Sequence, residues 1–220
     1  MQIAIAEKFS HRCCLKWRLC LPSFAFILIF NVTLFAQNGW ALDKEKDGIK
    51  ISSRHAEASQ VNDIRVELDL SGTVEQLAGI LLDVNHYKDW SYATKKSILI
   101  KHLGPGKLIY YTEIEVPWPA TNRCFYANFD MKENTAAHSV QVISENLPDY
   151  GSVSSDLMKV PFTKGVWNIT TISKEKIHVD YVLELNPGGS LPAWVLNLFS
   201  TKGPLETFEN IKKKMAALNQ

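Results

Sequence analysis

The chain has 220 residues, of which 46% are hydrophobic and 21% are charged, and its formal net charge is +1. This length and composition fit one globular domain whose core is large enough to need no disulfide or metal. A near-neutral charge argues against a nucleic-acid-binding protein, which usually presents a basic face, so no nucleic-acid partner is expected.

Residues 1–41 have the layout of a secretory signal peptide. Basic side chains outnumber acidic ones at the start, and the run over residues 19–36 is largely apolar. Gly39-Trp40-Ala41 offers the small-x-small pattern of a cleavage site, and Ala36 offers a second possible cut. The alternative is an uncleaved membrane anchor, because the apolar run is almost long enough to span a bilayer. We expect residues 42–220 to form the mature domain.

Cys124 lies beyond this leader, whereas the other three cysteines lie within it. The domain is therefore expected to have no internal disulfide. A lone cysteine at the start of an apolar strand is typical of a small buried hydrophobic residue, and a nucleophile or a metal ligand is the alternative. The histidines are scattered without the spacing of a metal site, so neither a metal nor a cofactor is expected.

The first part of the domain predicts strands followed by a helix. Residues 42–48 are charged and are interpreted as a loop. Apolar and charged residues alternate over residues 61–70, which is typical of a half-buried strand. Thr73 can cap a helix, with Glu75 and Gln76 in its first turn. The predicted elements are strands over residues 49–54 and 61–70, a helix over 74–84 and a short second helix to residue 90.

The middle of the chain predicts a series of antiparallel strands. Gly104-Pro105-Gly106 and the charged Lys174-Glu175-Lys176 mark two tight turns, and Asn186-Pro187-Gly188-Gly189 is a strong stop. Residues 147–155 are polar and contain glycine and proline, so they are interpreted as a loop. The predicted strands cover residues 96–103, 107–116, 122–132, 137–144, 155–160, 165–173 and 177–185.

Residues 116–126 form a rigid corner between two of these strands. Two prolines flank Trp118, and neither can donate a backbone hydrogen bond, so a central strand cannot run through them. Asn122 and Arg123 place a polar pair at the start of the next strand. On these residues alone, the corner is a stiff turn with a capping arginine.

The longest helical pattern starts at Leu191 and runs to the C-terminus. Gly203-Pro204 interrupts this pattern, so a kink or a break into two helices is expected there. The apolar residues that repeat at helical spacing are Leu191, Trp194, Val195, Leu198, Phe199, Leu205, Phe208, Ile211, Met215 and Leu218.

The order of these elements indicates the fold class. Strands do not alternate with helices, as they would in a parallel doubly wound sheet. We therefore predict an α+β fold in which a curved antiparallel sheet wraps around the long C-terminal helix. A sheet too wide to be filled by this helix leaves a hydrophobic cavity between the two.

Four separated segments resemble the START domain, the lipid-transfer fold named after steroidogenic acute regulatory protein. Residues 47–51 resemble the opening strand of that family, and residues 82–90 resemble its helix that ends in aromatic-x-x-Trp. Residues 111–123 resemble the strand, corner and strand that end in Asn-Arg-Asp, and residues 186–197 resemble the entry to the C-terminal lid helix. The segments follow the order of the family and look most similar to its phosphatidylcholine-transfer branch. The resemblance implies the helix-grip fold.

The resemblance also implies that a lipid, a sterol or another hydrophobic ligand binds in the cavity and is carried between membranes, without catalysis. A site of this kind is mostly apolar, with a few polar groups that orient the ligand. Glu113 matches a polar cavity residue of some relatives, and a solvent-facing strand residue is the alternative. For Trp194 and Leu198 the alternative is ordinary core packing. The residues expected to line the cavity are Tyr111, Glu113, Phe129, Trp194 and Leu198.

The corner and the lid helix have expected roles as well. Trp118, Asn122 and Arg123 are interpreted as a structural corner at the rim of the cavity. A lid must move before ligand can enter. The expected hinge residues are Gly188, Gly189, Gly203 and Pro204.

Cys124 stands where members of the family usually have Asp. Arg123 therefore needs another acceptor, for which Asp89, Glu113 and backbone carbonyls are candidates. The alternatives to a carrier are a lipid-sensing or scaffolding module without transfer, and a helix-grip enzyme, a cyclase or hydrolase, that acts on a hydrophobic substrate. Transient membrane contact and a monomer are expected, and family analogy places the exported domain in a bacterial periplasm.

Overall fold

The computed structural model describes residues 39–57, 59 and 61–219, so most of the predicted leader lies outside the described residues. The described strands are β1 (Ala41–Lys46), β2 (Ile49–Arg54), β3 (Asp63–Ser71), β4 (Thr94–Gly104), β5 (Lys107–Ile114), β6 (Arg123–Asn134), β7 (Ser139–Asn146), β8 (Met158–Lys159), β9 (Phe162–Ser173) and β10 (Lys176–Asn186). The helices are α1 (Val74–Leu82), a 3₁₀ helix (Val84–Asp89), α2 (Ala193–Asn197), a π-helical turn (Leu198–Lys202) and α3 (Gly203–Leu218).

These strands form one curved sheet, which confirms the predicted α+β fold. The order is β1-β2-β3-β10-β9-β7-β6-β5-β4, and every neighbouring pair along this path is antiparallel. The short β8 pairs in parallel with the start of β6. The C-terminal helix α3 packs on β2, β3 and α1. The sheet therefore grips the helix, with β1 and β4 at its two edges.

The interpretation of residues 42–48 as a loop is wrong, because Ala41–Lys46 forms the edge strand β1. All six of its residues are exposed, so no alternation of apolar and polar residues marks it. Asp47 and Gly48 both have positive φ, 52° and 79°, and join β1 to β2 in a two-residue turn. An Asp-Gly pair is a strong hairpin signal, and it is present in the sequence.

The first helix begins as its sequence predicts. The side chain of Thr73 accepts a hydrogen bond from the backbone of Gln76, and the Gln76 side chain accepts one from the backbone of Thr73. This reciprocal pair is a capping box, which satisfies two donors that the first helical turn leaves unpaired. The apolar face of α1, including Leu77 and Leu81, is then buried in the core.

The other predicted strands are confirmed, with ends that differ by a few residues, except for residues 155–160. Only Met158 and Lys159 form a strand there. The backbone N–H groups of Met158 and of Val160, which directly follows β8, donate hydrogen bonds of 2.9 Å to Asn122 O and Cys124 O at the start of β6.

Of the kink or break expected at Gly203-Pro204, the break does not occur, because the helix runs on from α2 through a π-helical turn into α3. The backbone N–H of Gly203 donates to Leu198 O, five residues back. Pro204, which has no N–H to donate, directly follows this wider turn in the continuous helix. No helix among the described residues is both long and apolar enough to cross a membrane.

Candidate ligand-binding cavity

A cavity of about 250 Å³ lies between the inner face of the sheet and the C-terminal helix. Its size is just below the range of roughly 300–1,000 Å³ that is usual for small-molecule sites. Its wall is mostly apolar and aromatic. The main contributors are Trp90, Phe125, Phe129, Trp167, Tyr181, Leu183, Leu185, Leu191, Leu196, Phe199 and Phe208.

The deep wall of the cavity is a cluster of aromatic rings. Phe129, one of the residues expected in the lining, lies in this wall and is 1% exposed. Trp167 packs against Tyr181 and Phe208, with ring centroids 4.4 and 5.3 Å apart. Aromatic pairs at such distances add stability beyond the area they bury. The helix α3 contributes Phe208 to this wall.

The expectation that Tyr111 and Glu113 line the cavity is corrected by the structure. Along β5 the residues that face the cavity are Tyr110, Thr112 and Ile114, so Tyr111 and Glu113 point to the opposite face. The Tyr111 hydroxyl donates to Glu113 Oε1 at 3.0 Å on that face. Five consecutive residues from Leu108 to Thr112 are buried, so burial on both faces hides the alternation that would have set the register.

Trp194 and Leu198 are also absent from the cavity lining, which uses Leu191, Leu196 and Phe199 instead. Trp194 is 48% exposed to solvent. The sequence stripe assumed regular α-helical spacing, whereas the π-helical turn adds a residue to one turn and rotates the faces of the helix.

The polar groups of the cavity wall are mainly hydroxyls. Tyr110 Oη and Ser144 Oγ form a hydrogen bond of 2.7 Å, and the Tyr87 hydroxyl donates to Leu81 O at 2.6 Å. Burial raises the pKa of Tyr110 to about 12, and it raises the pKa of Tyr87 and of Tyr181 as well. These phenols are therefore neutral.

Arg123 also lines the cavity, although the sequence placed it at the rim. It is 4% exposed, with Nη1 donating to Thr121 O and Nη2 donating to Gly188 O at 3.2 Å. Its acceptors are therefore backbone carbonyls, rather than Asp89 or Glu113. Desolvation lowers the pKa of the Arg123 guanidinium.

The remaining corner residues lie outside the cavity. Asn122 Oδ1 accepts a hydrogen bond of 2.9 Å from the backbone of Val116, which closes the loop between β5 and β6. Trp118, at the tip of this loop, is 88% exposed. The loop is thus fastened at its base and presents an aromatic side chain at its tip.

Cys124 is buried on the face of β6 opposite to Arg123. It pairs in register with Glu113 and lies near Tyr111. The pKa of its thiol is raised, mainly because the thiol is buried. A raised pKa makes a thiol a poor nucleophile. Because adjacent strand residues point to opposite faces, an Asp at this position would not lie beside the Arg123 guanidinium.

The proposed hinge residues fall into two structural groups. Gly188 and Gly189 have φ of 69° and 62°, a conformation that favours glycine, and they form the entry to the lid helix. Gly203 is helical instead, and a Cβ there would lie 2.8 Å from Tyr92 Cδ1. Close packing against Tyr92 therefore explains Gly203, and Pro204 lies in the cavity wall.

Residues 32–220 match the family model of the START domain, so the chain belongs to the START domain family. It is 25% identical over 173 residues to an uncharacterized protein of Pseudomonas aeruginosa, a match that covers 79% of this chain and 85% of that protein. It is 27% identical over 132 residues to human phosphatidylcholine transfer protein, which covers 58% of this chain and 60% of the human protein.

A solved structure has the same fold. The crystal structure of a STAR-related lipid transfer protein fragment from Xanthomonas axonopodis superposes with a TM-score of 0.72 at 27% sequence identity. The superposition covers 83% of this chain and 99% of that one.

Proposed function

We propose that the domain binds one lipid-like hydrophobic ligand in the cavity beneath the C-terminal helix and carries it between membranes. The observation that carries this proposal is an apolar, aromatic-walled cavity, to which the segment over residues 191–202 contributes Leu191, Leu196 and Phe199. Membership of the START family supports it, and so do the lipid-transfer functions named for its human and Xanthomonas relatives.

The physical reason for such a carrier is the cost of exposing an apolar tail to water. Covering that surface contributes about 25 cal/mol per Å², so a few hundred Å² of buried tail stabilise the complex by several kcal/mol. The lining residues of the described chain include no Asp, Glu, His or Cys. This composition favours binding over acid–base or nucleophilic catalysis.

The test of ligand binding is mass spectrometry of organic extracts from the purified domain. A stoichiometric lipid that is recovered unchanged after incubation supports a carrier, whereas conversion of a hydrophobic ester to product would contradict it. Transfer of the same lipid between donor and acceptor vesicles then separates a carrier from a sensing module, which would bind ligand without accelerating transfer.

The membrane contact in this proposal involves Trp118 and Trp194. Both are large, exposed aromatic residues, and tryptophan is the side chain that favours the boundary between water and lipid. They belong to two segments that Arg123 joins, because its guanidinium donates hydrogen bonds to Thr121 O and Gly188 O.

We expect W118A and W194A to slow vesicle-to-vesicle transfer while leaving ligand binding in solution unchanged. Y150A, which truncates an exposed aromatic on another loop, is the matched control.

The movement of the lid has its own experiment. Tyr92 and Phe199 lie in the cavity wall with ring centroids 5.7 Å apart, one on the body of the domain and one on the lid segment. A short bifunctional thiol reagent that joins Y92C to F199C should slow ligand exchange strongly. The same reagent on either single variant is the control, and equal exchange rates would contradict a moving lid.

We also propose that the domain is exported after cleavage of the leader. Trp40 is described in the structure, and the Arg54 guanidinium lies 4.6 Å from the centre of its ring. Strand β1 begins at Ala41. These contacts favour the cut after Ala36 over the cut after Ala41, because the latter would remove Trp40 from the folded domain.

A further inference from the structure

Arg123 is the one residue with a formal charge among the described residues that line the cavity. Two of its five N–H donors are used, through Nη1 to Thr121 O and Nη2 to Gly188 O. Nε is buried and has no hydrogen-bond partner. No carboxylate in residues 39–57, 59 or 61–219 forms an ion pair with this guanidinium.

A cation in this position is unusual on energetic grounds. Burying a charge without a compensating anion is costly, and a buried polar donor is normally hydrogen-bonded. Arginine does not escape this cost by losing its proton, because its guanidinium stays charged in proteins. The two carbonyls satisfy only part of the group, and neither supplies a negative charge to balance the guanidinium.

Arg123 lies at one end of the cavity, near the entry to the lid helix. Arg123 pairs across the sheet with Ile114, and Ile114 pairs with Thr94, so the three share a face near the entry to the lid helix. Thr94 Oγ1 donates to Ser91 Oγ at 3.0 Å at the same end. The opposite end is formed by aromatic rings such as Phe129, together with the hydrogen-bonded hydroxyls of Tyr110 and Ser144.

We propose that Arg123 is a head-group subsite that selects ligands with an oxyanion, a carboxylate or a phosphate, on an apolar tail. The tail lies against the aromatic end of the cavity, and the oxyanion accepts hydrogen bonds from the free Nη donors. Arginine presents such donors in a planar fork that matches carboxylate and phosphate oxygens. This proposal rests on the proposed function, because it assumes that the cavity holds an amphiphile.

The competing role for Arg123 is purely structural. Its bonds to Thr121 O and Gly188 O tie the loop after β5 to the entry of the lid helix, and both bonds use the terminal nitrogens. That role makes no distinction between charged and neutral ligands. The test must therefore compare ligands that differ only in the charge of the head.

The experiment is calorimetric titration of the delipidated domain at pH 8 with dodecanoate, dodecyl phosphate and dodecanol. We expect the wild-type domain to bind at least one of the two anions about tenfold or more tightly than the alcohol, as hydrogen bonds to a charged group predict. Equal affinity for all three probes would overturn the subsite and leave the proposed function intact. Failure of all three to bind would overturn both.

Variants then assign the preference to this side chain. R123Q should lose the preference for the anions over dodecanol, and R123K, which keeps the charge without the fork, should retain part of it. K101Q removes a positive charge from an exposed position on β4 and should keep the full preference. A preference that survives in R123Q overturns the assignment.

The source of the anion is decided in the same titration. Inorganic phosphate should neither bind nor displace the dodecyl probes at millimolar concentration, because it lacks the tail that the aromatic end holds. Tight binding of phosphate alone, lost in R123Q, would overturn a lipid head group in favour of a free anion. If R123Q does not fold, the comparison of the three probes on the wild-type domain and on R123K still decides the proposal.

Discussion

The substitution F208A tests whether Phe208 of α3 stabilises the domain by packing in the deep wall of the cavity. Phe208 is 1% exposed, and its ring lies 5.3 Å from that of Trp167 and 5.6 Å from that of Tyr181. The substitution F208A removes the ring and leaves its space joined to the existing cavity. Leu218 lies on the same helix and is 55% exposed, so L218A is the matched control.

The expected loss of stability follows from this environment. Replacing a buried phenylalanine by alanine typically costs about 3–5 kcal/mol, because transfer free energy and packing contacts are both lost. For a domain of this size, each kcal/mol lowers the melting temperature by roughly 2–4 °C, so F208A should melt about 6–20 °C lower. L218A should stay within about 0.5 kcal/mol of the wild type.

The assay is thermal unfolding of delipidated protein, with and without a saturating bound ligand. Ligand should raise the melting temperature of both proteins, since it binds the folded state only. The enlarged cavity of F208A should shift its preference toward bulkier tails. If F208A melted at the same temperature as L218A, the conclusion that Phe208 is a buried residue that packs in the core and in the cavity wall would be refuted.

Three further predictions address the cap, the outer face and the leader. T73A should lower the unfolding free energy by about 1 kcal/mol in denaturant titrations, since it removes the capping box, and an unchanged midpoint would contradict this. Hydrogen bonds from Lys176 and then from His178 hold the pKa of Asp69 below its ordinary value, so this carboxylate contributes stability above about pH 4 that is lost as the pH falls through the folded pKa. D69N should therefore flatten the dependence of melting temperature on pH below pH 4, and the contribution is small because Asp69 is 42% exposed. Intact mass of the exported protein should show an N-terminus at Gln37, and a start at Leu42 would contradict the role given to Trp40.

Much of the fold was predictable because its signals are local. Alternation over residues 61–70 predicted β3, and Thr73 with Gln76 predicted the start of α1. The hairpin of β1 and β2 was missed although Asp47-Gly48 marks it, because an exposed edge strand has no buried face to create a pattern. The Asp47-Gly48 turn signal was the one indication of this hairpin in the sequence.

The lining of the cavity was harder to predict. Phe129 was placed by its position in an aromatic strand, whereas Tyr111 and Glu113 were assigned to the wrong face of β5. A strand that is buried on both faces shows no alternation, and a shift of one residue reverses every side chain. The π-helical turn had the same effect on Trp194 and Leu198, since one added residue rotates a helix by about 100°.

The sequence by itself determined the order of the elements, the rigid corner around Trp118 and the family, because these depend on residue types at short range. Only the tertiary structure decided which side chains meet in the cavity, because that depends on register and on contacts between distant segments. Arg123 illustrates the difference most clearly. Its neighbours in the chain indicate a capping residue in a turn, whereas Gly188, sixty-five residues away, and the missing carboxylate make it a buried cation that faces a ligand cavity.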